Sequence, residues 1–171
     1  MAKAWLVPGL VRDMDFREAA GRIIVTRWRE MMSYASGTLD GSDIEQLHAM
    51  RVSSRRLRAA MDAFAEAFPT RGFRTRLAVV KEITDTLGAA RDLDVAIEGL
   101  ETVAAEFSAD ERVGIAALVA GYRGRRADEA AHIAVLFARL DEEQYARNFE
   151  RWVARHTGVD RKQLTTGPAE A

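Results

Sequence analysis

Proline is almost absent from the interior of this chain, since it occurs only at positions 8, 69 and 168. A proline inside a helix removes a backbone hydrogen bond and clashes with the preceding turn, so the two long proline-free stretches are compatible with long helices. In both stretches apolar residues recur three and four positions apart, and no segment shows a sustained period of two. This periodicity predicts an all-α fold. We expect an antiparallel helical bundle of about five helices joined by short loops.

Caps and breakers indicate where these helices begin and end. The pattern predicts helices over residues 15–36, 42–68, 70–107, 110–139 and 141–156. Ser42 with Glu45, and Asp141 with Gln144, have the spacing of a capping box, so we expect these pairs to begin the second and fifth helices. Gly88 is expected to bend or end the third helix, with helical structure continuing after it.

The length of 171 residues fits one domain that buries a core. The absence of Cys excludes a disulfide framework, thiolate zinc sites and a Cys nucleophile. No apolar run approaches the ~18 residues of a membrane span, and the apolar stretch before Pro8 is too short for a signal peptide. We therefore expect a cytoplasmic protein that does not contact membranes. We expect an N-terminal segment over 1–14, one helical domain over 15–156 and a flexible tail over 157–171.

The second predicted helix carries a concentration of positive charge. Between Gln46 and Met61 there are four Arg, one His and no acid, although the net charge of the chain is -1. At 3.6 residues per turn, one stripe of this helix is apolar and faces the core: Leu47, Met50, Ser54, Leu57, Met61, Phe64 and Phe68. A second stripe, centred about 120° away, is basic: His48, Arg51, Arg55 and Arg58. Arg56 lies off this stripe.

An uninterrupted basic stripe is unfavourable in a free helix, because like charges three or four residues apart repel by about 0.2–0.5 kcal/mol per pair. A bound anion removes this repulsion, whereas a solvated face of an Arg-rich protein is the alternative explanation. Arg74 and Lys81 lie seven residues apart on one side of the third helix. If the two helices are antiparallel, we expect their basic residues to line a common groove. Guanidinium groups would bind phosphates there through bidentate hydrogen bonds.

Two segments of the chain have a recognisable pattern. The segment DIEQLHAMRVSSRRLRAAMDAF contains a His, an Arg three residues later and an Arg-Arg-x-Arg cluster: His48, Arg51, Arg55, Arg56 and Arg58. The segment TLGAARDLDVAIEGL contains Leu-Gly-x-x-Arg-Asp-x-Asp: Leu87, Gly88, Arg91, Asp92 and Asp94. With these two segments in this order, the chain resembles the CHAD family (conserved histidine α-helical domain) over roughly residues 15–156.

The resemblance implies a non-catalytic helical bundle that binds inorganic polyphosphate through a basic groove. CHAD domains often accompany triphosphate-tunnel phosphohydrolases, and bacterial members associate with polyphosphate granules. We expect no cofactor, no metal site and no catalytic residue. The family positions, taken together with the two basic residues of the third helix, give the expected polyphosphate-binding residues: His48, Arg51, Arg55, Arg56, Arg58, Arg74, Lys81, Arg91 and Arg126.

The family's usual form differs from this chain in one respect. It consists of two similar helical bundles related by a pseudo-twofold axis, whereas this chain has one His-Arg motif. We expect two chains to form a C2 homodimer that supplies both halves. The alternative is a truncated paralogue with a shallower and weaker site.

Three other functions remain open. A metal-dependent phosphohydrolase would use His48, Asp92 and Asp94, although the neighbouring Arg repel a dication and no HExxH motif is present. A binder of the nucleic-acid backbone would use the same Arg stripe. We do not expect nucleic acid, because the pI of 6.3 is low and no aromatic residue interleaves with these Arg. The third alternative is a helical scaffold that binds proteins through its helix faces.

Overall fold

The computed structural model describes residues 3–160 and residue 164, and within these residues the regular structure is entirely helical. The elements are α1 (Phe16–Met32), α2 (Ala35–Asp40), α3 (Ile44–Ala63), a 3₁₀ turn (Ala65–Ala67), α4 (Thr70–Ala104), α5 (Ala109–Glu142) and α6 (Tyr145–Thr157). The all-α prediction is confirmed. Helix α3 packs between α1 and α4, α5 packs along α4, and α6 closes the bundle against α1 and α5.

The apolar stripe predicted for α3 is its core face. Leu47, Met50, Leu57 and Met61 are at most 2 % exposed, and they pack with residues of α1, α4 and α6. Ser54 is also buried and donates its hydroxyl hydrogen to the Arg51 carbonyl at 2.8 Å, so it needs no partner from another element. Burial of this stripe fixes the rotation of α3 about its axis. The basic stripe therefore lies at the edge of the core, alongside α4.

The predicted cap of α3 is wrong by one residue. Asp43 is the N-cap, since its carboxylate accepts a hydrogen bond from the Glu45 N–H at 2.9 Å. The Ser42 hydroxyl instead donates to the carboxylate of Asp40. Asp43 is adjacent to the first helical residue and reaches the free amides of the first turn directly, which is how an N-cap carboxylate stabilises a helix.

The second predicted capping box is also wrong. Helix α5 continues to Glu142, so Asp141 lies in its last turn and caps nothing. Gln144, with φ of 48°, makes the sharp turn into α6 and offers no side-chain cap. The apolar periodicity of α5 extends beyond the predicted boundary at residue 139. The pattern Asp-x-x-Gln therefore falls at the end of α5 and does not mark the start of a helix.

Other boundaries also differ from the prediction. The second helix was expected to reach residue 68, but α3 ends at Ala63 and a 3₁₀ turn follows. The first helix was expected to continue to residue 36, but α1 ends at Met32 and a separate short helix follows. The Ser33 hydroxyl donates to the Glu30 carbonyl at 2.8 Å, a local bond that competes with the helical ladder. Gly88 was expected to bend or end the third helix, and it does not end it, because α4 runs through this position as one helix of 35 residues.

The described ends of the chain pack against α1. Trp5 is 9 % exposed, and its carbonyl accepts a hydrogen bond from α1. Leu164 is 2 % exposed, and its carbonyl accepts a hydrogen bond from Arg29 at 2.5 Å. Residues 161–163 and 165–171 of the predicted flexible tail lie outside the described residues. None of the described helices is both long and apolar enough to span a bilayer.

A candidate anion-binding groove between α3 and α4

An open groove of about 660 Å³ lies between α3 and α4. One wall belongs to α3 and is lined by Arg51, Arg55, Arg58 and Asp62. The other belongs to α4 and is lined mainly by Thr84, Asp85, Gly88, Ala89 and Asp92. The small side chains in the middle of the α4 wall leave the space that forms the groove.

Arg51 of α3 lies close to two residues of the α4 wall. Its Nη2 lies 3.8 Å from Oδ1 of Asp92, and its Nε lies 3.9 Å from the point that a Cβ on Gly88 would occupy. Because α3 and α4 pack side by side, this contact shows which residues of the two walls lie opposite each other. The guanidinium of Arg51 therefore lies across the groove floor at one end, and Arg58, seven residues on, lies near the other.

The charge of the groove is mixed. Three Arg and three Asp line it, so its formal charge is zero. Within the described residues, neither Arg55 nor Arg58 forms an ion pair, and Arg55 is exposed. Their guanidinium groups keep donors for an oxyanion, and the run from Arg51 to Arg58 extends about 10 Å along the helix.

The comparison with protein families decides what kind of domain this is. The family model for the CHAD domain matches residues 22–170. The chain belongs to the CHAD domain family. Searches of curated proteins and of solved structures returned no match. In this CHAD domain, the His-Arg segment lies in α3 and the Leu-Gly-x-x-Arg-Asp-x-Asp segment lies in the middle of α4, so residues of both segments line the groove.

His48 lies one turn before Arg51 on the same face of α3, beyond the residues that line the groove. It is half-buried, and its Nδ1 is buried without a hydrogen-bond partner among the described residues. The predicted stripe is thus present in the CHAD domain, but only its three Arg line the groove.

Arg56 lies on a different side of α3 from the groove. Its Nη1 donates to Oε1 of Glu30 at 2.9 Å, and Glu30 is fully buried in α1. The same carboxylate accepts a hydrogen bond from Arg27. A buried carboxylate requires such partners, because an unpaired charge in a protein interior is strongly unfavourable. The structure therefore places Arg56 in the contact between α1 and α3.

Arg74 and Lys81 do not line the groove, contrary to the expectation of a common basic groove. They lie on the same face of α4 as Gly88, because the three positions are spaced by seven residues. Helix α3 ends at Ala63, so the α3 wall of the groove does not extend towards the start of α4. They continue the groove's α4 face beyond its end.

Arg91 and Arg126 lie around Asp94, which is 7 % exposed. Arg126 Nε donates to Oδ1 of Asp94 at 2.7 Å. Arg91 lines a smaller depression of about 280 Å³ that also contains Asp94, Glu98 and two further acids. The structure thus places these two arginines among carboxylates and outside the groove.

Asp62 and Asp85, two acidic residues of the groove, were not singled out from the sequence, whereas Asp92 was considered for a metal site. Asp85 and Asp92 are seven residues apart, which places both on the face of α4 that also carries Lys81. This spacing was a readable signal for an acidic wall. Asp62 follows Arg58 by four residues and so continues the basic stripe of α3 with a carboxylate.

The His and Asp residues considered for a metal site are not brought together. Among the described residues, no group of three or more His, Asp or Glu side chains has an arrangement that would hold a metal ion. His48, Asp92 and Asp94 therefore do not form such a group.

Proposed function

We propose that this CHAD domain binds inorganic polyphosphate in the α3–α4 groove and does not catalyse a reaction on it. The observation that carries the proposal is that Arg51, Arg55 and Arg58 line one open groove in a domain that the CHAD family model matches. Two of these arginines form no ion pair within the described residues, so an anion is the partner that their charges lack.

The spacing of the arginines favours a chain of phosphates over a single phosphate. Arg51 and Arg58 are separated by about 10 Å along the helix, which exceeds what one tetrahedral anion can contact. A linear polyanion can contact all three guanidinium groups in turn. The open form of the groove allows such a chain to pass through, and beyond its end Lys81 and Arg74 lie on the same face of α4 and extend the basic path.

The remaining residues expected to bind polyphosphate take different roles in this proposal. Arg56 and Arg126 have a structural role and do not bind the ligand, because each forms an ion pair with a buried carboxylate of another helix. Arg91 is left out of the binding surface, because acidic side chains surround it. His48 is the neighbour of the groove at the Arg51 end and would contact only a chain that continues past Arg51.

We also propose that two copies of the chain associate through α5. Leu118 is 49 % exposed on the outer face of this helix, and a Cβ on Gly114 or Gly121 beside it would meet no atom within 4 Å. Glu111 and Arg125 lie seven residues before and seven after Leu118 on the same face, and both are exposed. In an antiparallel contact centred on Leu118, each Glu111 would face the Arg125 of the second copy. Such a self-complementary surface is what a C2 dimer requires.

Light scattering on the purified protein at tens of micromolar tests this association. We expect a mass twice that of the 19.0 kDa chain. The Leu118→Glu variant should be monomeric, and Val113→Glu, which changes another exposed position of α5, should remain dimeric. A monomeric wild type would contradict the proposal.

The expected location of the protein in the cell follows from the proposed ligand. A protein that binds polyphosphate would concentrate where the polymer accumulates, so we propose that it associates with polyphosphate granules in the cytoplasm. Microscopy of a fluorescent fusion tests this. The fusion should form foci in cells that accumulate polyphosphate, and foci that persist without the polymer would contradict the proposal.

Calorimetric titration with long-chain polyphosphate tests the binding itself. The wild type is compared with Arg51→Ala/Arg55→Ala and with Arg151→Ala/Arg155→Ala, which removes the same charge from exposed positions of α6. We expect the first variant to lose most of the affinity and the second to keep it. Equal losses in both would indicate a generic charge effect, and no binding by the wild type would contradict the proposed function.

A further inference from the structure

The two ends of the groove differ in how their arginines are paired. At one end, Arg51 lies 3.8 Å from the carboxylate of Asp92. Towards the other end, Arg55 and Arg58 form no ion pair within the described residues. A ligand that enters the groove therefore finds two unoccupied guanidinium groups and one that already has an anionic partner.

The Arg51–Asp92 pair has the features of an exchangeable contact. The side chain of Asp92 is 76 % exposed, whereas that of Arg51 is 27 % exposed and lies over Gly88 on the groove floor. Asp92 can thus turn into water without losing packing, while Arg51 stays in place. A phosphate that replaces Asp92 gains a guanidinium positioned for bidentate hydrogen bonds.

We propose that Asp92 is a built-in competitor for Arg51 and sets which phosphate ligands the groove binds tightly. A short phosphate binds at Arg55 and Arg58, which are three residues apart, and leaves the Arg51–Asp92 pair intact. A long chain extends to Arg51, and there it must displace the carboxylate. Asp92 therefore lowers the affinity for long chains and has little effect on short ones. This inference rests on the proposed function, since it concerns the same groove.

The test compares Asp92→Asn with the wild type by calorimetry, in the presence of a chelator, using pyrophosphate and long-chain polyphosphate as probes. The control is Glu98→Gln, which removes one charge from α4 at an exposed position outside the groove. We expect Asp92→Asn to bind long chains about two- to fivefold more tightly, as expected for loss of a partly exposed ion pair. The affinity for pyrophosphate should change by less, and the control should change neither.

A second comparison shows whether Asp92 acts through Arg51. In an Arg51→Ala background, the Asp92→Asn substitution should no longer strengthen binding, because the arginine for which Asp92 competes is absent. The inference is overturned if Asp92→Asn leaves the affinity for long chains unchanged or lowers it. It is overturned as well if the substitution raises the affinity for long chains and for pyrophosphate by the same factor. It is also overturned if the effect persists without Arg51. If one of these results is found and the wild type still binds long chains, the proposed function stands and only the role of Asp92 is wrong. If the wild type binds no polyphosphate, the proposed function and the role of Asp92 are both contradicted.

Discussion

Arg56 donates a hydrogen bond to the fully buried carboxylate of Glu30 at 2.9 Å, and this contact separates it from the arginines on either side in the sequence. Arg55 and Arg58 line the groove on α3, whereas Arg56 joins α3 to α1. One Arg-Arg-x-Arg cluster therefore contains residues of two kinds. Two of its arginines face the candidate ligand site, and one stabilises the packing of the helices.

Substitutions at Arg55 and Arg56 should consequently affect different properties, polyphosphate binding in the first case and folding stability in the second. Arg56→Ala removes one of the partners of the buried Glu30 and should lower the free energy of unfolding by about 2 kcal/mol, while the folded protein keeps its affinity for polyphosphate. Arg55→Ala should weaken polyphosphate binding and leave the unfolding free energy within about 0.5 kcal/mol of wild type. Urea denaturation and calorimetric titration of both variants measure the two quantities. A large loss of affinity in Arg56→Ala would place this residue in the binding site instead.

Removal of the Glu30 charge should be more damaging than removal of Arg56. In Glu30→Gln the shape of the side chain is kept, but Arg27 and Arg56 lose their common carboxylate. Loss of one partner from a buried ion pair usually costs about 3–5 kcal/mol, and we expect the lower end because both arginines are partly exposed. Urea denaturation should show this shift of the midpoint. A variant as stable as wild type would mean that the carboxylate contributes little net energy.

The hydrogen bonds of Glu111 at the start of α5 should make the folding stability fall at acid pH. The hydroxyl and the backbone N–H of Ser108 both donate to the Glu111 carboxylate, and these bonds hold the pKa of Glu111 below its ordinary value of 4.5. Because its pKa is lowered on folding, the Glu111 carboxylate makes its full contribution to stability above pH 4.5. This contribution is lost as the pH falls through the lowered pKa of the folded state.

The Glu111→Gln variant tests this dependence. Its melting temperature should lie below that of wild type at pH 7, and the difference should shrink as the pH falls from 4.5 through the lowered pKa, at which the carboxylate of the folded protein becomes protonated. Ser108→Ala, which removes one donor, should show the same trend to a smaller degree. A difference that stays constant with pH would show that the charge of Glu111 is not what stabilises the start of α5.

Gly88 offers a way to change the groove without changing its charges. A Cβ at this position would lie 3.9 Å from Nε of Arg51, an ordinary van der Waals distance, and Gly88 lies inside a continuous helix. Gly88→Ala should therefore raise the free energy of unfolding by about 0.5–1 kcal/mol. Gly88→Leu should instead fill the groove floor, displace Arg51 and weaken polyphosphate binding. Denaturation and titration of both variants measure this, and unchanged binding by Gly88→Leu would place the ligand elsewhere.

The sequence was sufficient for the features that depend on helical periodicity. The apolar face of α3 and the basic stripe beside it were predicted from the spacing of residues such as Leu57 and Arg58, because a helix repeats every 3.6 residues whatever surrounds it. The cap of α3 was missed by one residue, since Ser42 and Asp43 are both good N-cap residues and only the local backbone decides between them.

The features that depend on contacts between helices could not be predicted in the same way. The ion pair of Arg56 could not be predicted, because nothing in the sequence links Arg56 to Glu30, which is 26 residues earlier. The acidic wall of the groove was not predicted, because the expected groove rested on the basic residues of the third helix alone, although Asp85 and Asp92 share their face. Which residues of α4 lie opposite α3 depends on the register of the two helices, and periodicity within each helix does not determine that register.

We propose that the groove is a site for polyphosphate and not a general surface for polyanions. The most direct test is a competition titration at about 150 mM salt, where weak surface attraction is largely screened. Polyphosphate is titrated into the wild-type protein with and without duplex DNA of matched total charge. We predict tight binding of polyphosphate that the DNA barely displaces and that Arg51→Ala/Arg55→Ala loses. Equal affinity for the two polymers, or full displacement by the DNA, would contradict the claim.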